Sequence, residues 1–283
     1  ERRERFAREF GVPVRESYDE LLADKDVDII YLPLPPALHF AWGRRALEAG
    51  KHLFLEKPSS TNADDSRVLA ELAATKGLAL QENYMFHYHG QIKFIMDLVA
   101  GGAIGEPRLV RGMFAFPMRP EGDFRYDKAL GGGALMDTGG YVLKLATIML
   151  GPDLQLTGAD EFRLPGAEID ISGAVTLKNP AGIVFQGYFG MDNCYQCSLE
   201  IFGTRGSLVT KRIFTAPAGF RPTVFLETNE EKKTFELDAD DHFETSIRMF
   251  VEAVGSENVR SAMRSGILLQ AGLVDEVKKT WSE

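Results

Sequence analysis

The stretch HLFLEKPSS, residues 52–60, decides the fold of this chain. Its first four residues, 52–55, are mostly apolar and predict a short buried strand. Glu56, Lys57 and Pro58 then end the strand, because a proline cannot donate a hydrogen bond to a sheet ladder. Lys57 is therefore predicted to lie at the carboxyl end of a core strand, held between a carboxylate and a proline.

Short apolar strands and helices alternate on both sides of this stretch. Strands are predicted at 27–32 and 78–81, and helices at 37–49 and 62–76, with Thr61 as the cap of the second helix. Such alternation is typical of a parallel, doubly wound α/β sheet. Ligands of these sheets bind beyond the carboxyl ends of the strands, which is where the lysine is expected.

A second break in the sequence supports a ligand site at that edge. The sequence PLPP, residues 33–36, ends the strand at 27–32, just as EKP, residues 56–58, ends the strand at 52–55. The strand–G-x-G-x-x-G–helix signal of dinucleotide-binding proteins does not occur in the chain. GGGAL at 131–135 follows no clear strand and is weak as a phosphate loop.

The pattern changes after about residue 83. The segment 131–151 predicts a helix with a glycine-rich start, and a series of strand-like runs between 155 and 238 predicts a largely antiparallel sheet. Asp137 and Tyr141 are spaced i, i+4 on the predicted helix and share one face. Spacing alone favours a surface carboxylate and a core tyrosine, because such pairs are common.

Composition restricts the function. The 283-residue chain is 45% apolar and 26% charged, as globular proteins are, and its net charge of −9 disfavours a nucleic-acid partner. No apolar run approaches the ~18 residues that a membrane span needs, and no signal peptide opens the chain, so a cytoplasmic location is expected. Cys194 and Cys197 would suit a redox pair or half a zinc site, but their strand-like context favours opposite faces of a strand, and no metal is predicted.

Three motifs together resemble the glucose–fructose oxidoreductase, inositol dehydrogenase and rhizopine-catabolism (Gfo/Idh/MocA) family. They are VDIIYLPLPPALH, EAGKHLFLEKPSS and GGGALMDTGGY, and their order and spacing match the family over essentially the whole chain. The resemblance implies an α/β Rossmann domain at residues 1–84 that binds NAD or NADP. It also implies an α+β domain at 85–283, whose large, mostly antiparallel open sheet often forms the interface of a dimer or tetramer.

The family's first strand, glycine loop and second strand should precede Glu1, so the Rossmann domain is expected to be N-terminally truncated. The opening sequence ERRERFAREFG agrees with this expectation, because it predicts a helix from its first residue.

The resemblance carries the family's site onto residues of this chain. The catalytic lysine of the E-K-P motif falls on Lys57, the helix-borne aspartate on Asp137, and the residue four positions later, often histidine in the family, on Tyr141. The implied cofactor-binding positions are Pro33, Leu34, Pro35, His39, Glu56, Lys57 and Pro58. For His39 a structural role at the start of a helix is the alternative.

Further polar residues are candidates for the sugar pocket. They are Tyr84, His87 and Arg125. Arg125 is expected either to contact a diphosphate through two parallel hydrogen bonds or to brace its own loop. Lys144 is expected to be a solvated charge.

Two longer segments, EGDFRYDKALGGGALMDTGGY and YFGMDNCYQCSLEIFGTRGSL, resemble the nucleotide-sugar 3-ketoreductases of this family, in which lysine and tyrosine are the implied catalytic pair. Val142 departs from the proline that is common after the tyrosine in that subgroup, so the direction of the Tyr141 side chain does not follow from the resemblance. The resemblance implies NAD(P)-dependent hydride transfer to or from a ring carbon of a sugar. The alternatives are a free-sugar or inositol-type polyol dehydrogenase, an NAD-dependent glycosidase, and a catalytically silent cofactor-binding regulator.

These residue types suit the chemistry. Hydride transfer to a ketone builds negative charge on the carbonyl oxygen, and a lysine ammonium aimed at that oxygen stabilises it by ~3–4 kcal/mol. Tyr141 keeps its proton near neutral pH, since the ordinary pKa of a phenol is about 10. Asp137 and a nearby cation are expected to tune Tyr141 for general-acid work, which favours reduction. Glu56 is expected to orient Lys57 or to touch the nicotinamide ribose.

Overall fold

The stretch at 52–60 lies at the centre of a small parallel sheet. The computed structural model describes residues 2–281. In it β1 (Ile29–Leu32), β2 (His52–Glu56) and β3 (Leu80–Asn83) pair in parallel in the order β1-β2-β3. The predicted parallel α/β sheet is confirmed, although β3 begins two residues later than expected.

Helices flank these strands along the first part of the chain. They are α1 (Arg2–Phe10), α2 (Tyr18–Ala23), α3 (Pro36–Glu48) and α4 (Ala63–Lys76). The expected cap Thr61 is wrong, because Oδ1 of Asn62 accepts the amide hydrogen of Asp65 at 2.8 Å and so caps α4. Gly77 ends α4 in the left-handed conformation, with φ of 65°.

The second sheet has eight strands in the order β11-β10-β9-β8-β4-β7-β6-β5. They are β4 (Pro107–Ala115), β5 (Gln155–Phe162), β6 (Ser172–Lys178), β7 (Val184–Gly190), β8 (Gln196–Gly203), β9 (Gly206–Lys211), β10 (Thr223–Thr228) and β11 (Lys232–Glu236). Among the strands that the structure describes in this sheet, only the pair β4–β7 is parallel, so the prediction of a large, mostly antiparallel sheet is confirmed. Cys197 is buried on β8, whereas Cys194 precedes this strand and is exposed.

The remaining helices are α5 (Gly90–Ala100), α6 (Gly140–Leu150), α7 (His242–Gly255) and α8 (Glu257–Thr280). The helix expected from residue 131 begins later than predicted. A π-helical turn at Leu135–Gly139 leads into α6, and the glycines before it are irregular, with φ of 80° at Gly131 and 117° at Gly133.

The chain returns to the first sheet at its end. Phe250 of α7 meets Phe54 of β2 with ring centroids 5.2 Å apart. Ile267 of α8 shares a core with Leu53 and Leu69 of the first sheet and its helices. The last two helices therefore pack on the Rossmann side, and the predicted boundary at residue 84 stays a prediction. Within the part of the chain that the structure describes, every helix is too short or too polar to cross a membrane.

Candidate active site

The carboxyl ends of β1 and β2 open into a cleft of about 180 Å³. Both breaks seen in the sequence contribute to its wall, and the glycine-rich turn before α6 forms another part of it. The predicted site residues that line the cleft are Pro33, Leu34, Glu56, Lys57, Arg125 and Asp137. The lysine therefore stands at the strand ends, where ligands of parallel sheets bind.

Asp137 fixes the position of Lys57. The ammonium nitrogen Nζ of Lys57 donates to Oδ1 of Asp137 at 2.5 Å and to the backbone carbonyl oxygen of the same residue at 2.9 Å. Both side chains are only 14% exposed. The fold thus brings together two predicted residues that are far apart in sequence, and it is Asp137 rather than Glu56 that orients the lysine.

Arg125 holds the other side of the same carboxylate. Its Nε donates to Oδ2 of Asp137 at 2.6 Å, and its Nη1 donates to Oδ1 of Asp123 at 3.1 Å. Burial alone would raise the pKa of Asp137, but the adjacent Lys57 and Arg125 cations outweigh burial and hold this pKa below its ordinary value. Of the two roles expected for Arg125, the structure shows the bracing of its loop.

Tyr141 lies behind Lys57 in an aromatic cluster. Nζ of Lys57 is 4.9 Å from the centroid of the Tyr141 ring, and the Tyr141 hydroxyl donates to Sδ of Met85 at 3.5 Å. Burial, and then the charges of Glu56 and Asp137, raise the pKa of Tyr141 well above its ordinary value. Asp137 thus opposes loss of the phenolic proton, and the tuning of Tyr141 for general-acid work stays a prediction.

Glu56 is held by two neighbouring strands of the first sheet. Its Oε1 accepts hydrogen bonds from the hydroxyl of Tyr31 and from Nδ2 of Asn83, both at 2.9 Å. Its carboxylate also forms part of the cleft wall. A contact between Glu56 and a bound ribose stays a prediction.

His39 ties together the two loops at the strand ends. Its Nδ1 lies 2.7 Å from the carbonyl oxygen of Pro58, and its Nε2 lies 2.6 Å from that of Leu34. The ring is fully buried, and this burial lowers the pKa of His39. Its geometry agrees with the structural role, while the role of His39, Pro35 and Pro58 in binding a cofactor stays a prediction.

The carboxylate of Asp170, which the sequence analysis did not predict, packs against the glycine-rich turn. A Cβ atom on Gly132 would collide with the carbonyl group of Arg125, and one on Gly133 would collide with Oδ1 of Asp170. Asp170 accepts the amide hydrogen of Leu135 at 2.6 Å, and burial raises the pKa of Asp170 to about 6. The run of three glycines was the available signal, since it indicates close approach of other groups to the backbone.

Two of the predicted sugar-pocket residues lie elsewhere. Tyr84 and His87 line a second cavity, of about 230 Å³, together with Lys144. The ring of Tyr84 packs edge to face against the ring of Tyr141, with centroids 5.1 Å apart, and so helps to hold the Tyr141 ring in place. Lys144 is half-buried rather than solvated, and burial lowers its pKa. Contact of Tyr84 and His87 with a sugar stays a prediction.

The cleft fits a nicotinamide ring. A protein cavity of about 150 Å³ holds benzene, so the cleft at the strand ends has room for a single six-membered ring. Pro33, Leu34 and Met136 supply apolar wall, and the cleft also exposes the charged groups of Lys57 and Asp137. A flat, partly polar ring beside a charged group matches this lining.

Comparison with known proteins identifies the family. A family model described as an oxidoreductase family with an NAD-binding Rossmann fold matches residues 1–84, and a model of the Gfo/Idh/MocA C-terminal domain matches residues 92–209. This chain belongs to the Gfo/Idh/MocA oxidoreductase family. The predictions of a Rossmann fold that binds a nicotinamide dinucleotide and of an NAD(P)-dependent oxidoreductase are confirmed.

Its similar relatives include two proteins named dTDP-3,4-didehydro-2,6-dideoxy-alpha-D-glucose 3-reductase. The one from Actinomadura kijaniata is 39% identical over 278 residues, covering 98% of this chain and 84% of the relative. The one from Streptomyces violaceoruber is 39% identical over 282 residues, covering 96% and 82%.

A solved structure has the same fold. The 3-ketoreductase KijD10 from Actinomadura kijaniata, in complex with NADP and TDP-benzene, superposes with a TM-score of 0.95 at 39% identity, over 99% of this chain and 86% of that one. Other structures of that ketoreductase carry a lysine replaced by alanine or a tyrosine replaced by phenylalanine, at two positions 84 residues apart.

Proposed function

We propose that this protein is an NADPH-dependent 3-ketoreductase that acts on a dTDP-linked deoxysugar. The observation that carries the proposal is the Lys57 ammonium, held in the cleft at the strand ends by two hydrogen bonds to Asp137. Lys57 and Tyr141 are 84 positions apart, which is also the separation of the two residues replaced in the A. kijaniata ketoreductase. The NADP in that structure supports the choice of cofactor.

Lys57 stabilises the charge that develops on the sugar carbonyl oxygen. When bound, the nicotinamide supplies the hydride. Asp137 fixes the ammonium before any substrate arrives, so the site needs little reorganisation during the reaction. Because the side chain is 14% exposed, its field is screened by little water and acts more strongly than in solution.

Tyr141 delivers the proton to the oxygen. Its raised pKa keeps the hydroxyl protonated at neutral pH, so the proton is available to the alkoxide that hydride transfer forms on the sugar. The ammonium of Lys57, 4.9 Å from the ring centroid, stabilises the tyrosinate that forms. The thioether of Met85 is a weak hydrogen-bond acceptor, so a substrate oxygen replaces it at small cost.

Arg125 positions the diphosphate of the substrate. The guanidinium lines the cleft and already holds two carboxylates, those of Asp123 and Asp137. Its planar group of five donors suits a phosphate in addition to a carboxylate. The same contact couples the diphosphate to the carboxylate that orients Lys57.

The open sheet is the proposed interface of a homo-oligomer in the cytoplasm, a dimer or a tetramer. Phe202 of β8 and Phe225 of β10 are 36% and 47% exposed on its outer face. Large exposed apolar residues that share one face are typical of interaction surfaces.

The test is a measurement of turnover on defined substrates. The protein is mixed with NADPH or NADH and with a panel of 3-keto nucleotide sugars, free keto sugars and polyols, and nicotinamide absorbance is followed. Turnover of a dTDP-linked 3-keto sugar with NADPH supports the proposal. Turnover of free sugars or polyols alone would make the protein a catabolic dehydrogenase. Cofactor binding without turnover would favour a glycosidase, recognised by release of a glycoside, or a silent regulator.

A further inference from the structure

A second cavity, of about 230 Å³, lies where the two halves of the chain meet. Its wall is built from β3, the segment that follows β3, and helices α6, α7 and α8. The volume exceeds the roughly 150 Å³ that accommodates benzene. The cavity is thus large enough for a small organic molecule.

The carboxylate of Glu82 lines the cavity, and its two oxygens differ in their hydrogen bonds. Glu82 is 9% exposed, and its Oε1 accepts the amide hydrogen of Ser59 at 2.7 Å. Among residues 2–281, its other oxygen, Oε2, has no hydrogen-bond partner. A buried oxygen that accepts no hydrogen bond destabilises the protein, and a donor on a bound molecule removes that cost.

Gln81 presents a second acceptor at the same wall. Its Nε2 donates to the hydroxyl of Ser246 at 2.7 Å, whereas its Oε1 has no partner within the described residues. The preferred occupant therefore carries a hydrogen-bond donor.

The charges of the cavity wall favour an uncharged occupant. Burial disfavours both charges, since it raises the pKa of Glu82 and lowers that of Lys144, whereas each of the two charges favours ionisation of the other. His87 is neutral at pH 7, since burial lowers its pKa to about 4. An anion would meet Glu82 and a cation would meet Lys144, so neither gains a net attraction.

We propose that this cavity binds a small uncharged molecule with an apolar body and a hydroxyl donor, of the phenol or alcohol class. The hydroxyl donates to Oε2 of Glu82, and the body packs against Met249, Met263 and Ile267. Methionine side chains adapt to varied shapes and make favourable contacts with aromatic rings.

An occupant would be sensed at the E-K-P turn. Ser59, whose amide hydrogen bonds to Glu82, is two residues after Lys57. Tyr84 lines the cavity and touches the ring of Tyr141. A second hydrogen bond to Glu82 weakens its bond to the Ser59 amide, so binding perturbs the loop that carries the lysine.

The first test compares phenol with toluene, which has the same size but no donor. Binding is measured by isothermal titration calorimetry, and the Ser59 amide resonance is followed by NMR. We expect phenol to bind with a Kd of roughly 1 mM or tighter, to bind at least about tenfold more tightly than toluene, and to shift the Ser59 resonance. Equal affinities, no binding, or binding that leaves Ser59 unmoved would overturn the proposal.

A matched pair of variants locates the binding. A Cβ atom on Gly266 would lie 3.5 Å from Nζ of Lys144, an ordinary contact, so Gly266→Leu extends into the cavity. Gly272, six positions later on the same helix, has nothing within 4 Å of its Cβ position, so Gly272→Leu makes the same change outside the cavity. We expect Gly266→Leu to weaken phenol binding at least about tenfold and Gly272→Leu to leave it unchanged. Equal binding by both variants would place phenol elsewhere, and neither result depends on the proposed ketoreductase activity.

Discussion

The cleft at Lys57 and the cavity at Glu82 each bury a carboxylate, and the two carboxylates differ in their partners. Asp137 accepts hydrogen bonds from two cations, whereas Glu82 accepts one from a backbone amide, and its Oε2 has no partner within residues 2–281. The pKa of Asp137 is accordingly lowered, although burial opposes this, and that of Glu82 is raised by burial. Burial thus sets the direction of the shift unless cations are in direct contact.

The two sites therefore differ in how far their hydrogen bonds are satisfied before a ligand binds. In the cleft, charge pairs fix the side chains before a ligand arrives, which is the property that catalysis needs. In the cavity, an unsatisfied acceptor leaves free energy to be gained when a donor binds. Substitutions at matching positions in the two regions therefore have different expected effects.

Removal of the cleft lysine has the largest expected effect. Lys57→Ala should lower kcat for the dTDP-linked 3-keto sugar about 10²–10³-fold, because a preorganised donor to the developing oxyanion is lost. The matched variant is Lys144→Met in the cavity, for which we expect a change in kcat of less than about threefold. Steady-state kinetics with NADPH measures both. Equal losses would show that the two lysines do not differ in role.

Loss of the cleft carboxylate should destabilise the protein. Asp137→Asn leaves the buried Lys57 without its counter-ion and leaves Arg125 with Asp123 alone, and we expect the free energy of unfolding to fall by about 3 kcal/mol at pH 7. Because the pKa of Asp137 is lowered in the folded state, its contribution is present above about pH 4 and lost as the pH falls further. The difference between wild type and variant should therefore narrow on acidification.

Urea unfolding between pH 3 and pH 7 measures this difference. Asp123→Asn is the control, since Asp123 is 21% exposed and holds Arg125 only, so we expect a loss of about 1 kcal/mol. A loss as large for Asp123→Asn as for Asp137→Asn would contradict the central role of Asp137.

The sequence predicted the cleft better than the cavity, for physical reasons. An apolar strand ended by Glu56-Lys57-Pro58 indicates a loop at a sheet edge from local chemistry alone. The meeting of Lys57 with Asp137, by contrast, depends on the packing of the two halves, and only the family resemblance brought these residues together. Spacing on its own favoured a surface carboxylate, which the structure contradicts because Asp137 is 14% exposed.

The cavity could not be predicted from local patterns. Glu82 and Lys144 lie 62 positions apart, and they share a cavity only because α8 folds back onto β3 and α4. Lys144 was predicted to be a solvated charge, because the hydrophobic pattern of its own helix does not indicate which later helix will cover it. The bond between Arg125 and Asp137 was hidden for a similar reason, since Arg125 lies in an irregular loop.

Two tyrosines whose rings touch offer the next comparison. Tyr141→Phe should lower kcat about 10²-fold, because the proton donor is lost, while stability changes by less than about 1 kcal/mol, since the hydroxyl donates to a thioether, a weak acceptor. The hydroxyl of Tyr84 accepts a long hydrogen bond, of 3.4 Å, from Gln270. Its removal in Tyr84→Phe should change kcat less than about threefold. Kinetics of the two variants at pH 7 decides the assignment, and a larger loss for Tyr84→Phe would move the proton donor to the other ring.

The smallest expected effect is a gain in stability in the cavity. Glu82→Gln keeps the shape of the side chain and an acceptor for the Ser59 amide, but it removes a buried charge whose pKa is raised in the folded state. An ionised Glu82 therefore costs free energy of folding as the pH rises above about 4, the ordinary value for glutamate, and this cost is absent when the group is protonated in both states. We expect the variant to exceed wild type by about 1 kcal/mol at pH 7, with the difference vanishing on acidification. Urea unfolding across the same pH range measures this difference. A variant less stable than wild type at pH 7 would mean that Lys144 compensates Glu82 fully, and the cavity would then be as complete as the cleft.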